Sequence, residues 1–329
     1  MQAWHSLTRL YRRIFDPLLV NYYAQPERET PFNLAVARVM LGLYLIWKLA
    51  SYQLERLQEF PVFLFTDHRF GVFLLSPEWL QWLPWERNLA IVLLLLFVLG
   101  WRLAWSSFFS ALLIAHMIAL HYVVTNSGTT FLPGVYALLL WGIFRHTDEL
   151  SLDGRRRRKL SASHEVAVQR PADMAILKWL LVILATTYFL TGFWKLRGAG
   201  AEWATADNLN RMLHFEALMH LREVPPAAQL LLDHPTLSWL SAVATLVLEC
   251  GFLLAVLLRA PIAPFILGLG TMHALIFFSM EIFFFDQYLL YLLFVPWDRV
   301  WERIRGRRAA VTAALEPAVP RPAATGPPQ

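Results

Sequence analysis

One cysteine in 329 residues is the first constraint. Cys250 stands alone, so the chain forms no intrachain disulfide and builds no cysteine-based metal or redox centre. Charge is scarce as well: Asp, Glu, Lys and Arg make up 16% of the residues, against roughly 25% in soluble domains. The shortage is uneven and leaves long stretches without a charged side chain. No apolar leader ending in small residues opens the sequence. The first thirty residues are polar and aromatic, with Arg9, Arg12 and Arg13, so the first apolar stretch is expected to act as its own insertion signal. There is no short internal repeat, and no segment reads as a water-soluble catalytic domain. No Glu-x-x-His or His-x-x-x-His spacing occurs among the apolar stretches, and no metal is expected. The net charge of +5 comes mainly from basic loops and points neither to nucleic acid nor to an acidic partner.

What is present is apolar: 57% of the residues are hydrophobic and the mean hydropathy is +0.45. Stretches of this kind predict an all-α, polytopic membrane bundle, because a helix satisfies its own backbone polar groups in lipid. Eight spans are expected, at 32–52, 88–102, 104–125, 130–145, 174–195, 237–258, 261–281 and 284–298. The second and third, and the seventh and eighth, follow each other so closely that they read as helical hairpins, with Pro261 and Pro264 starting the seventh. Basic residues cluster in the N-terminal arm, at Arg102, at Arg155–Arg158 with Lys159, at Arg259, and after the eighth span from Arg299 to Arg308. With eight spans all of these fall on one side, which places both termini in the cytoplasm. The expected organisation is a basic arm (1–30), a transmembrane domain (31–298) and a basic, then Pro/Ala-rich tail (299–329), in a cell (inner) membrane.

Three features lie outside the spans. The 53–87 loop, rich in Phe, Trp and Pro, is expected to lie at the interface as a short helix or lid. An amphipathic helix is expected over Asp207–Leu221, with Leu209, Met212, Leu213 and Leu218 on one side. The tail beyond Leu315 reads as disordered.

Ionisable side chains inside spans are costly and mark candidate functional positions. Arg38 and Lys48 fall in the first span, His116 and His121 in the third, Lys178 and Lys195 in the fifth, Glu249 in the sixth and His273 in the seventh. Lys48 and Lys178 lie near span ends, where a lysine snorkels to the interface. His116, Glu249 and His273 each lie twelve residues into their spans. At about 1.5 Å per residue they share one depth and are expected either to share protons or to form a structural knot between helices. A proton-relaying transporter layer is a further reading of the same three residues, although paired broken helices are missing. Lys195 closes the run Tyr188-Phe189-Leu190-Thr191-Gly192-Phe193-Trp194-Lys195. Gly192 lets a neighbouring helix or ligand approach closely. The residues alone leave two readings of Lys195, an interfacial anchor or a general base.

The order of these pieces resembles the membrane part of the vitamin K-dependent γ-carboxylase family and its bacterial relatives, the HTTM (horizontally transferred transmembrane) proteins. The likeness spans roughly residues 30–298 and is carried by short motifs. These are Pro31-Phe-Asn-Leu34-Ala-Val-Ala-Arg38-Val-Met-Leu-Gly42, the turn Gly100-Trp-Arg102, Tyr188-Phe-Leu-Thr-Gly192-Phe-Trp-Lys195-Leu with Trp203, Leu248-Glu249-Cys-Gly, and Met272-His273. The resemblance implies that Lys195 is the base that deprotonates a reduced vitamin K or menaquinone-like quinol. Oxygen then converts the quinol to an epoxide, with carbon dioxide as the further reactant where a glutamate is carboxylated. It implies that Arg38, His121, Glu249 and His273 line or brace that pocket. The family has two adjacent lysines where this chain has Trp194-Lys195, and an Asn-Asn-His-Ser stretch where it has Ser127-Gly128-Thr129-Thr130. The carboxylases also continue into a large lumenal domain without a counterpart here, so processive carboxylation of a protein is not expected. The alternative implied by the HTTM relatives is a non-catalytic membrane protein that assists maturation or export of a small secreted peptide. Membrane lipids and a lipid quinone are the other expected partners.

Overall fold

A computed structural model describes residues 31–51, 77–125, 132–144, 148, 150–160, 175–219, 221, 223–258, 260–282, 284–295 and 297–315. The regular structure among them is helical throughout. In chain order the α-helices are α1 (Pro31–Ser51), α2 (Leu83–Leu99), α3 (Leu103–Thr125), α4 (Leu132–Phe144), α5 (Leu152–Leu160), α6 (Ala175–Ala199), α7 (Ala206–Met219), α8 (Pro226–Asp233), α9 (Pro235–Leu257), α10 (Ala263–Met280), α11 (Phe285–Leu292) and α12 (Trp297–Leu315). Tighter 3₁₀ turns over Pro77–Trp82 and Gly200–Ala204 extend α2 backwards and α6 forwards.

Six described helical segments are long and apolar enough to cross a membrane: Phe32–Ser51, Leu80–Leu99, Leu103–Leu120, Ile176–Ala204, Pro235–Leu257 and Ala263–Met280. Their outer faces are apolar too. Trp47, Trp85, Leu89, Val92, Val247 and Leu254 are all more than half exposed. A soluble monomer rarely leaves so much contiguous apolar surface to water, whereas lipid accepts it. The chain is a membrane protein.

Of the expected fourth span the structure describes 132–144, as α4, and its flanks lie outside the described residues. The stretch 284–298 divides into α11, of 8 residues, a turn at Leu293–Val295, and the start of α12. The sequence supplies Pro296 at this break, which has no amide to donate and disfavours helix at the residue before it. In the other direction, α2 begins at Leu83 rather than 88 and takes in Glu86 and Arg87. Charges that read as loop on a hydropathy count sit inside this helix because Glu86 has a partner, His116. The expected helix over 207–221 is α7, with Leu213 and Ala217 buried. Leu218 is 69% exposed rather than on the packed side. Nine residues after Leu209, at about 100° each, it lies on the opposite face. The arm 1–30, most of the 53–87 loop and the tail beyond 315 lie outside the described residues.

α3 packs between α2 and α4, α1 lies on α2, and α4 reaches α6. α6 pairs closely with α9, which in turn meets α7 and α10. α11 bridges α10 and α1. Prolines in the first turn of α2, α8, α9 and α10 start those helices where an amide has no partner to lose. Gly100, at φ 69°, ends α2 in the left-handed conformation, and a Cβ there would collide with Ser151. The pairing of α6 with α9 and the closure of α10–α11 against it position the site.

Candidate functional site

Tyr188, Gly192 and Lys195 stand at i, i+4 and i+7 on α6, one helical stripe. That stripe faces α9. A Cβ on Gly192 would meet Cys250 Sγ at 2.6 Å and Glu249 Cβ at 3.1 Å, so the glycine is what allows the two backbones to come this close. The close approach brings Lys195 Nζ to 2.6 Å from Glu249 Oε1. The lysine side chain is about one quarter exposed and the carboxylate 4%. Lys195 Nζ also lies 4.4 Å from the centre of the Trp203 ring, in the 3₁₀ turn after α6. Its aromatic wall is thus Trp203, since Phe193 and Trp194 turn outward and are 42% and 57% exposed.

About two turns back along α6, the Tyr188 hydroxyl is the centre of a second polar group. It lies 2.8 Å from His273 Nε2 on α10, 3.3 Å from Gln287 Oε1 on α11, and in hydrogen-bond contact with the Tyr291 hydroxyl. Phe284 covers the His273 ring at 4.5 Å between centroids. Tyr288 donates to the Gly270 carbonyl at 2.8 Å and braces α11 on α10. The two polar groups share one stripe of α6, through Lys195 and Tyr188. Among the described residues, two buried atoms of these groups have no hydrogen-bond partner: Glu249 Oε2 and His273 Nδ1. Buried polar atoms without partners are few in native proteins, because each loses its hydration without return.

The structure therefore pairs Lys195 with Glu249 and Tyr188 with His273, both from one stripe of α6. It does not bring the other expected residues there. His116 Nδ1 sits 2.8 Å and 2.9 Å from the two oxygens of Glu86, on α3 and α2, so the common-depth layer of His116, Glu249 and His273 is not one cluster. Arg38 is completely buried elsewhere. It binds both oxygens of Asp148, at 2.6 Å and 3.1 Å, and donates to the Phe97 and Val98 carbonyls at the end of α2. His121 belongs to α3, but its side chain lies outside the described residues. Lys48 is held by Asp286 of α11, next to Gln287. No group of three His, Cys, Asp or Glu side chains suited to a metal ion occurs among the described residues. The sequence reading missed Gln287 and Tyr291, although polar groups four residues apart in an otherwise apolar segment were a usable signal.

The arrangement can hold and move a proton. As an ion pair, the Lys195 ammonium is no base. When its proton passes to Glu249, the neutral amine becomes one, with the carboxyl keeping the proton close at hand. Apart from these residues, α7 and the end of α10 line an open groove of about 500 Å³ with Arg211, Met212, Phe215, Glu216 and Met280. Met280 lies two turns, roughly 10 Å, beyond His273 on α10.

Compared with known proteins, the chain matches no family model, no curated protein and no solved structure.

Proposed function

We propose that the chain is a multi-pass protein of the cell (inner) membrane, with both termini cytoplasmic, that binds a lipid quinol and deprotonates it with Lys195. The observation that carries this reading is the Lys195–Glu249 pair, set in an apolar bundle beside two buried, unpartnered polar atoms. On this reading Glu249 Oε2 and His273 Nδ1 would be the polar atoms that hold a quinol's oxygens. Lys195 would take a quinol hydroxyl proton once its own had moved to Glu249. With oxygen as oxidant, a quinol and one O₂ balance to a quinone epoxide and one water. The chain's contribution is to orient the ring, exclude bulk water and keep the proton on the Lys195–Glu249 pair. Arg38, far from these contacts, braces the bundle, and carbon dioxide has no part in the step.

The test is purified protein in lipid nanodiscs with reduced menaquinone or reduced vitamin K under oxygen. Epoxide formation, lost in Lys195→Ala, is the expected result. No epoxide and no bound quinone from the wild-type protein would sink the proposal. The HTTM-like alternative, a non-catalytic partner of a secreted peptide, draws on the same geometry: Gly192, Lys195 and Glu249 also clasp α6 to α9. It predicts that Lys195→Met with Glu249→Leu keeps the cellular function.

A further inference from the structure

The loop-and-helix unit Asp148–Leu160 is tied to the bilayer helices more firmly than a connecting loop requires. Arg38 of α1, fully buried, grips the Asp148 carboxylate through two nitrogens. The Asp148 carboxylate also caps the Leu150 amide at 3.0 Å, and its carbonyl holds Ser151. The Asp153 amide donates to the Gly100 carbonyl at 3.0 Å, and the Asp153 carboxylate accepts from the Leu103 amide at 2.9 Å, at the start of α3. The first turn of α5 is thereby fixed to the α2–α3 turn, where the chain leaves one candidate span and enters the next.

What this anchorage presents is basic. α5 reads Leu-Asp-Gly-Arg-Arg-Arg-Arg-Lys-Leu. Leu152, Arg155, Arg156 and Lys159 are exposed and fall within an arc of about 100° on the helix. Beside it Trp101 and Trp105 are 45% and 58% exposed, as tryptophans are at headgroup depth. A rigid basic face with one apolar residue in its middle, at that depth, complements phosphate groups from the side and acyl chains from below.

We propose that α5, held by the Arg38–Asp148 clasp, is a docking face for anionic phospholipid headgroups of the protein's own membrane. The face is independent of the quinol reading. The test uses the full-length protein and native mass spectrometry of lipid retention, with phosphatidylglycerol competing against phosphatidylcholine. The wild-type protein is expected to retain phosphatidylglycerol preferentially, with a preference that falls steeply as salt rises. The triple variant R155Q/R156Q/K159Q is expected to lose at least about tenfold of that preference, since each basic side chain near the surface contributes. R303Q/R305Q, which neutralises two exposed arginines of α12, is expected to keep it. Soluble glycerol phosphate is expected not to displace the lipid; displacement would assign the face to free phosphate and overturn the proposal. So would absence of preference in the wild type, a preference insensitive to salt, or equal losses in both variants.

Discussion

At the scale of single residues, the site turns on one carboxylate. Glu249 is buried at 3% exposure, and among the described residues its ion-pair partner is Lys195. Removing one member of such a pair leaves an uncompensated charge in an apolar setting, whereas removing both leaves none. Lys195→Met is therefore expected to cost about 3–5 kcal/mol of stability, and Lys195→Met with Glu249→Leu to recover most of it. Thermal unfolding in detergent checks this through the double-mutant cycle. Additive losses would mean that the 2.6 Å contact carries no coupling. The sequence showed both residues as ionisable groups in apolar spans. It did not show that they pair. Pairing depends on the rotation of α6 against α9, and that rotation is set by packing around Gly192 rather than by any periodicity in α6, which is apolar on all sides.

Among elements, the α6–α9 contact is the one that a single atom can disturb. Gly192→Ala places a Cβ 2.6 Å from Cys250 Sγ, so the helices must separate or the thiol must turn. The expected loss is about 1–3 kcal/mol, partly restored by Cys250→Ala, measured again by thermal unfolding. If Cys250→Ala restores nothing, the clash is with Glu249 Cβ instead and the pair itself is pushed apart. Helix existence was legible in the sequence, since long apolar stretches have few alternatives in lipid. Helix limits were less so. Glu86 and Arg87 pushed the expected start of α2 too late, because a hydropathy count does not see that His116 waits across the interface for Glu86. Leu218 is apolar yet off the packed face of α7, because angle along the helix rather than side-chain character decides the face.

For the whole molecule, the basic segments constrain how the chain threads the bilayer. The described residues hold six helices long and apolar enough to cross. The proposed orientation requires an even number of crossings in the whole chain, with both ends on one side. On a Cys250→Ser background, Ser6→Cys and Ala318→Cys are expected to react with a membrane-impermeant thiol reagent from the same side only. Labelling from opposite sides would require an odd number of crossings and would undo the proposed orientation. The outward faces have a further consequence at this scale. Trp47, Leu89, Val92, Val247 and Leu254 stand on the perimeter of α1, α2 and α9. In lipid, helices gain little by burying such side chains against each other, so close contacts and polar pairs inside the bundle hold them together. One apolar residue can therefore replace another on the perimeter at little cost, whereas the interior at Gly192 tolerates no added atom without a shift.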